Sequence, residues 1–461
     1  MSDNRGVFVM KKGMTSDDVK HLKRRAEGLI ELVILSVVYY YIWKFNYRMV
    51  DTFPLFGKGK FVLAGTYFFI ALLVFTVCDS LQFGHLKLID TVISQWISIV
   101  ILNVIAYVQL SLMGNRMLAV LPIAILTIID FVISFILSYI FTAYYHNKNM
   151  PRKMILVYEN ENALSLMKKL NGRGDKYKVE TAIKSSEGLA AVLSKIEGHD
   201  AVVINDVPAI IRNDIIKYCY ANSIRTYEVP KISDIITRGA EEITLFDTPL
   251  LLVKGYGLTI EQRAAKRLFD IIISIICMIP ASVIMIITAI AIKLEDRGPI
   301  LYTQERVTRD GQRFNILKFR SMIVDAEKDG ISIPATDKDP RITRVGSIIR
   351  PTRIDELPQL INILKGDMSF VGPRPERVEH VEKYTAEIPE FVFRNKVKGG
   401  LTGYAQVYGK YNTSAYDKIR LDLAYIENYS LLLDIKIVFR TLQILFKKES
   451  TEGFENEETN E

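Results

Sequence analysis

Cysteine is scarce in this chain of 461 residues: there are three, with Cys78 and Cys277 inside apolar runs and Cys219 alone. That pattern excludes a disulfide framework, has no zinc-ligand spacing and suits a reducing cytosol. The first twenty residues lack the apolar centre of a secretory leader, so no cleaved segment is expected there. Charge is also missing from long stretches. Residues 61–78 and 91–113 carry none, residues 28–43 carry only Glu31, and residues 117–145 carry only Asp130. Roughly 20 apolar residues cross the hydrocarbon core of a bilayer, so four transmembrane helices are predicted. Asp130, an ionisable group at membrane depth, is expected to pair with polar groups across the bundle or at a dimer interface.

The charge that is present is unevenly placed. The net charge is +7. Basic residues cluster beside the apolar runs, with Lys20, Lys23, Arg24 and Arg25 before the first and Lys148, Arg152 and Lys153 after the fourth. Cytosolic flanks favour Lys and Arg, so both ends of the bundle are expected to face the cytosol. Lys44, Arg48, Lys58 and Lys60, in the first inter-helix turn, argue the other way. A nucleic acid could neutralise such charge. Anionic headgroups and phosphorylated substrates are the simpler partners, because the charge adjoins membrane segments. Membrane lipids are therefore expected as partners, and nucleic acid is not.

Beyond the bundle the pattern changes. Residues 154–158, 177–183, 201–205 and 225–229 have strand character, and helical patterns lie between them at 163–170, 188–196 and 210–220. Alternating strands and helices predict a parallel α/β module. The turn after its first strand reads Glu159-Asn160-Glu161-Asn162 and has no glycine. Without glycine the backbone cannot approach a pyrophosphate closely, so a structural or regulatory module is expected in place of a dinucleotide site.

A fifth apolar run, residues 271–292, has 22 residues without charge and Pro280 near its middle. Both flanks are basic: Arg263, Lys266 and Arg267 before, Lys293 and Arg297 after. A crossing helix shows that bias on one side only. The expectation is therefore a re-entrant membrane helix that breaks at Pro280 and returns to the same face. A fifth span with a tolerated proline is the competing reading.

The densest chemistry runs from Lys318 to Pro375. Lys318 and Arg320 open it, Arg341, Arg344, Arg350 and Arg353 follow, then the pair Asp355-Glu356, then Pro373-Arg374-Pro375. Arginine forks hold phosphates. A carboxylate pair can hold Mg²⁺ against phosphate oxygens, and a carboxylate can itself attack phosphorus. An Asp-Glu pair is equally at home at a helix start, where carboxylates complement the positive end. The two proline flanks could also make a stiff loop and nothing more.

Five separated motifs, at 318–322, 339–350, 354–360, 366–375 and 400–407, together resemble the bacterial sugar transferase family. These are the polyprenyl-phosphate hexose-1-phosphate transferases. The whole chain resembles their long form, which prefixes four spans and a Rossmann-like module to the catalytic part. The resemblance implies that Asp355 is the nucleophile, forming a covalent phosphosugar intermediate and releasing UMP. It also implies that Glu356 joins Asp355 at the Mg²⁺ and the acceptor, and that Arg350 serves the polyprenyl phosphate. Lys318 and Arg320 would line the site, while Pro373, Arg374 and Pro375 would form a loop over the nucleotide sugar. One departure is Ile279-Pro280 where many members have Ser-Pro, with Ser282 a possible substitute.

The expected fold is thus a mixed membrane protein in several parts. A cytosolic N-terminal tail (1–25) precedes a four-helix transmembrane bundle (26–147) and a parallel α/β Rossmann-like domain (151–252). An α/β-mixed catalytic domain (258–448) follows, with a re-entrant membrane helix (263–293) and interfacial amphipathic helices near residues 429–448. An acidic disordered tail (449–461) ends the chain. The expected substrates are a UDP-hexose, with glucose or galactose as the sugar, and undecaprenyl phosphate, at the inner membrane of a bacterium. A homodimer is compatible with this architecture. A membrane scaffold with an inactive last domain, and a direct one-step transferase, are the rival readings.

Overall fold

The computed structural model describes residues 16–47, 59–84, 86–148, 150–160, 163–324, 339–409 and 413–445. The tail at 449–461 and most of the N-terminal tail lie outside them. The chain divides into two compact units, Met1–Lys231 and Ile232–Glu461.

The first unit begins with four long helices, α1 (Ser16–Asn46), α2 (Gly59–Val77), α3 (Leu88–Met113) and α4 (Leu121–Lys148). All four are long and apolar enough to cross a membrane. Their seam is packed by Leu32, Leu35, Tyr39, Tyr67, Phe75, Leu102 and Leu126. Two carboxylates inside the seam are paired across helices, as low polarity favours. Glu31 on α1 accepts from Gln95 of α3 at 3.1 Å and Ser134 of α4 at 2.5 Å. Asp130 on α4 accepts from Asn103 at 3.1 Å and Tyr67 at 3.3 Å. Asp130 therefore sits inside the bundle, paired across it.

A four-stranded sheet follows: β1 (Arg152–Tyr158), β2 (Tyr177–Lys184), β3 (Ala201–Asn205) and β4 (Arg225–Val229). The order is β2-β1-β3-β4 and every pairing is parallel. Helices α5 (Ala163–Asn171), α6 (Leu189–Ile196) and α7 (Ala209–Ala221) connect the strands. The apolar runs within β1 and β3 explain why both faces are covered, since a parallel strand is buried on two sides. Ile155, Val157, Val202 and Ile204 face Val192, Ile196 and Ile215, while Met154, Leu156, Ala201 and Val203 face Ala163.

The second unit starts with α8 (Ile232–Arg238) and a hairpin of β5 (Glu241–Leu245) and β6 (Thr248–Leu252). Helix α9 (Ile260–Asp296) is next and is the fifth helix apolar and long enough to cross a membrane. A capping box starts it: Thr259 Oγ1 accepts from the Gln262 amide, and the Gln262 side chain accepts from the Thr259 amide. Arg297, at φ 57°, ends it. The chain was expected to break at Pro280. The helix instead continues through it, with Pro280 inside a single element. Proline removes one backbone donor, and polar groups nearby can compensate. The Ser282 hydroxyl donates to the Ile279 carbonyl at 2.8 Å, which is not the Ile276 carbonyl that the missing amide frees.

Around α9 stand the antiparallel pair β7 (Leu301–Val307) and β8 (Arg313–Phe319), then α10 (Arg344–Ile349), α11 (Gln359–Lys365), β9 (Ser369–Val371) and α12 (Val378–Glu387). β10 (Gly400–Thr402), α13 (Tyr404–Tyr408), α14 (Ala415–Glu427) and α15 (Leu431–Leu445) complete the unit. Buried ionic contacts fix α9 to this domain at its polar start. Lys266 Nζ lies 2.6 Å from Asp434 of α15 and 3.0 Å from the Tyr425 hydroxyl of α14. Arg267 donates to the Ile363 and Leu364 carbonyls at the end of α11. Asp270 accepts from the Ser369 hydroxyl and the Phe370 amide.

Lys266 and Asp434 are 6% and 0% exposed. Removing one partner of such a pair leaves a buried charge without compensation, at a cost of about 3–5 kcal/mol. Lys266→Met is therefore expected to lower the thermal unfolding midpoint of the purified protein sharply. An unchanged midpoint would show that the pair does not hold α9 in place.

Candidate functional site

The site is built on three segments that the sequence keeps apart. β8 carries Lys318. The 3₁₀ turn Ile354–Glu356, just ahead of α11, carries Asp355 and Glu356. The loop after β9 carries Pro373, Arg374 and Pro375. Asn362 of α11 clamps the strand to the turn: its Oδ1 accepts from the Leu317 amide at 2.9 Å and its Nδ2 donates to the Asn315 carbonyl at 2.9 Å. The loop is set by close backbone packing. A Cβ at Gly400 would lie 2.1 Å from the Gly372 nitrogen, and one at Gly403 would lie 2.0 Å from the Gly372 oxygen. Only glycine fits there, which brings the motifs at 366–375 and 400–407 into one contact.

Glu356 is the hub. Its Oε1 accepts from Lys318 Nζ at 3.1 Å and from Arg374 Nη2 at 2.8 Å, and its Oε2 lies 3.7 Å from Arg353 Nη1. Burial alone would raise its pKa, but Arg374, Lys318 and Arg353 outweigh that and hold the carboxyl far below the usual range. Burial depresses the Lys318 ammonium while Glu356 supports it. The Arg374 guanidinium is strengthened, chiefly by Glu356.

Asp355 is treated differently. Among the described residues no group donates a hydrogen bond to it, and it is only half-buried. Burial first, and then the neighbouring Glu356 charge, push its carboxyl up to about 6, against the pull of Lys318, Arg350 and Arg374. At neutral pH it is a largely ionised carboxylate with open oxygens. Four cations (Lys318, Arg350, Arg353 and Arg374) thus surround two carboxylates, leaving net positive charge suited to a diphosphate.

The sequence-predicted residues do not all converge. Lys318, Asp355, Glu356 and Arg374 do. Arg350, at the end of α10, influences Asp355 and donates to the Ser321 hydroxyl at 3.5 Å. Pro373 and Pro375 bracket Arg374; their carbonyls accept from the Gly400 amide and from Arg306. Arg320 is turned elsewhere, its guanidinium paired with Asp296 at the end of α9 and packed against Gly298. Pro280 lies within α9.

Two contributors were not singled out from sequence. Arg353 was one of a run of arginines, and its left-handed backbone (φ 53°), which aims it at Glu356, has no sequence signature. Arg394 holds the loop from behind: it donates to the Arg374 carbonyl at 2.9 Å and pairs with Asp422 at 2.8 Å. Only the fold brings Arg394 to Arg374.

Magnesium was expected at Asp355 and Glu356. Among the described residues no group of three or more His, Cys, Asp or Glu side chains gathers to hold a metal. Glu356 Oε1 is filled by Lys318 and Arg374. The open oxygens belong to Asp355, and a single carboxylate plus phosphate oxygens and water is an ordinary Mg²⁺ set. The arrangement therefore fits Mg²⁺ through Asp355 and gives Glu356 a different job, that of binding the cations.

Comparison with known proteins adds an independent finding. Residues 261–448 match the family model described as bacterial sugar transferase. The chain is 46% identical over 231 residues to a UDP-N-acetylgalactosamine-undecaprenyl-phosphate N-acetylgalactosaminephosphotransferase of Aeromonas hydrophila, covering 49% of this chain and 53% of that one. It is 38% identical over 248 residues to a UDP-glucose:undecaprenyl-phosphate glucose-1-phosphate transferase of Klebsiella pneumoniae, covering 53% and 51%. A protein of Caulobacter vibrioides with the same description as the Klebsiella one is 42% identical over 186 residues, which are 39% of this chain and 69% of that one. The chain thus spans about half the length of the first two relatives.

Arg394 and Asp422 are almost wholly buried, so Arg394→Met strands a charge and frees the Arg374 loop. Its expected cost is about 3–5 kcal/mol in unfolding free energy, read by denaturant titration of the purified protein. A loss below about 1 kcal/mol, the usual value for an exposed pair, would contradict this account of the loop.

Proposed function

The chain belongs to the bacterial sugar transferase family, and from that membership we propose that it moves a hexose 1-phosphate from a UDP-sugar to polyprenyl phosphate, with Asp355 as nucleophile. The observation that carries the proposal is the contrast within the carboxylate pair. Glu356 is saturated by cations, while Asp355 beside it is ionised and unbonded. A carboxylate kept free of hydrogen bonds retains its nucleophilicity. Relatives acting on UDP-N-acetylgalactosamine and on UDP-glucose support a UDP-linked hexose as donor.

The chemistry runs in two displacements. An Asp355 carboxylate oxygen attacks the sugar-linked phosphorus, the bond to the UMP phosphate breaks, and UMP leaves with the electron pair. An oxygen of polyprenyl phosphate then attacks the acyl phosphate, and Asp355 departs as a carboxylate. Lys318 and Arg374, held in place by Glu356, neutralise the charge on the transferred phosphate and on the leaving UMP. Arg350 receives the acceptor phosphate. Asp355 would hold Mg²⁺, which would supply further neutralisation of the diphosphate.

A membrane location follows from the five apolar helices. For α9 we favour a helix that stays with its domain at one face of the membrane, without the break at Pro280 that a re-entrant hairpin needs. Lys266 and Asp296 are 30 positions apart, roughly 45 Å of helix at about 1.5 Å per residue. Both ends are tied to the same polar domain, Lys266 to Asp434 and Asp296 to Arg320. The middle is tied there too, with Ala281 against Leu360 and Ile363, and Met285 beside Phe319 and Ile349. A helix crossing the bilayer would drag this domain through hydrocarbon. A helix lying with its domain at the cytosolic surface exposes Ile275, Ile276, Ile279, Val283 and Ile287 to lipid and brings the site to headgroup depth.

Incubation with a UDP-sugar labelled in the sugar phosphate, without lipid acceptor, is expected to leave label on the wild-type protein and none on Asp355→Asn. UMP release by that variant at the wild-type rate would end the nucleophile assignment. Because Asp355 attacks only when ionised, the initial rate of UMP release measured without added Mg²⁺ should rise with pH through about 6 and flatten above it. A rate independent of pH between about 5 and 8 would contradict the geometry.

A further inference from the structure

We infer that the first unit carries a binding site for the headgroup of a net-anionic phosphate-bearing lipid, formed where α3 begins and α4 runs out toward the sheet. A cavity of about 450 Å³ opens there, lined by Lys87, Leu88, Tyr139, Thr142, Ala143 and Asp175. That is the volume of a small-ligand pocket. Its walls combine apolar side chains with a cation and a hydroxyl, which suits a molecule with a greasy end and a polar end.

The hydroxyl is the informative part. Threonine inside a helix ordinarily turns its Oγ1 back to the carbonyl four residues earlier. Thr66, Thr76, Thr91 and Thr127 in these same helices all do so. Thr142 does not. It is 6% exposed, and its Oγ1 has no hydrogen-bond partner among the described residues. A buried, unpaired hydroxyl costs free energy that an oxygen-rich ligand would recover. Opposite it is the N-terminus of α3, whose cap Lys87 makes no side-chain capping bond and, among the described residues, no ion pair. Unsatisfied amides at the start of a long helix favour an anion.

The surroundings hold both signs, with Asp90 in the first turn of α3 and Asp175 on the wall, both acting on Arg173, against Lys87, Arg173 and Lys176. Asp175 on the wall is held by a two-pronged contact from Arg173, at 2.9 and 3.0 Å, so its charge is met before a ligand arrives. Next to it, burial and then Arg173, Arg24 and Arg152 push the Lys176 ammonium down to about 8, with Asp175 opposing. A cation disfavoured by neighbouring cations is stabilised by an incoming phosphate. Soluble phosphate would use the cation and the amides but leave Leu88, Tyr139 and Ala143 uncovered. An acyl chain covers them, so the ligand is a lipid.

The full-length protein, purified in detergent and stripped of lipid, provides the test, with binding read by native mass spectrometry. It would be titrated separately with phosphatidylglycerol, undecaprenyl phosphate and phosphatidylcholine. One tight equivalent of phosphatidylglycerol is expected, weakened roughly tenfold in Thr142→Val and in Lys87→Gln, the effect of one hydrogen bond to a charged group. Tighter retention of undecaprenyl phosphate, lost in the same variants, would also support the site and name its lipid. Equal affinity of wild type and both variants for every lipid would overturn the inference. So would retention of phosphatidylcholine as strong as phosphatidylglycerol, or displacement of the lipid by an equal concentration of inorganic phosphate. Thr142→Val keeps the side-chain shape and Lys87 is exposed, so both variants should fold. The readout is binding, independent of turnover.

Discussion

The candidate site depends on one carboxylate being occupied so that its neighbour is not. Lys318, Arg353 and Arg374 carry fixed charge into a partly dry pocket, and without Glu356 they would close on Asp355. Hydrogen-bonded by guanidinium and ammonium groups, Asp355 would be a weaker base and a poorer nucleophile. Glu356 takes those contacts, and its own charge raises the Asp355 carboxyl. The pair therefore divides its labour by environment, in the way that adjacent carboxylates can be given opposite roles by burial and hydrogen bonding.

This division also explains the scaffold. Three segments must present cations to a single oxygen pair within a few tenths of an ångström. β8 is registered by Asn362, the Arg374 loop by the glycine contacts at 372, 400 and 403, and the loop backbone by Arg394. Arg394 is in turn paired with the buried Asp422. Such a buried ionic lattice adds little net stability compared with apolar packing of the same volume. What it supplies is a fixed geometry, and phosphoryl transfer gains most from positioned charge.

Much of this was legible in the sequence, and the failures have physical causes. The parallel strands could be read because each is a short apolar run bounded by polar turns, and β3 and β4 match the expected limits of 201–205 and 225–229. The four apolar runs became helices α1–α4 because nothing but length and lack of charge was needed. Lys318, Asp355, Glu356 and Arg374 could be named because motif residues cluster where chemistry occurs. Arg320 looked equivalent to Lys318 by spacing, yet it leaves the end of β8 and meets Asp296, a long-range pairing that spacing cannot encode. Pro280 was weighed as a breaker from its missing amide and from the basic residues on both flanks of its apolar run. Side-chain packing along α9, from Lys266 to Ile292, outweighs one lost hydrogen bond, since a net hydrogen bond is worth only about 1 kcal/mol.

The position of Arg320 connects the two halves of the problem. One residue, Phe319, separates it from Lys318, and its partner Asp296 ends the apolar helix α9. Under the proposed function, the depth at which α9 rests in lipid would be passed through one ion pair to the strand that holds Lys318. A substrate phosphate on a polyprenyl chain is confined to the headgroup layer, whereas a nucleotide sugar arrives from water. An enzyme joining them must keep its nucleophile at that boundary, and an error of a few ångströms would strand it in hydrocarbon or in solvent. Anchoring the reactive strand directly to the lipid-exposed helix removes the intervening flexible segments through which such an error would accumulate. If the proposed function holds, the buried Arg320 would act without touching substrate, by tying the strand of Lys318 to the end of α9.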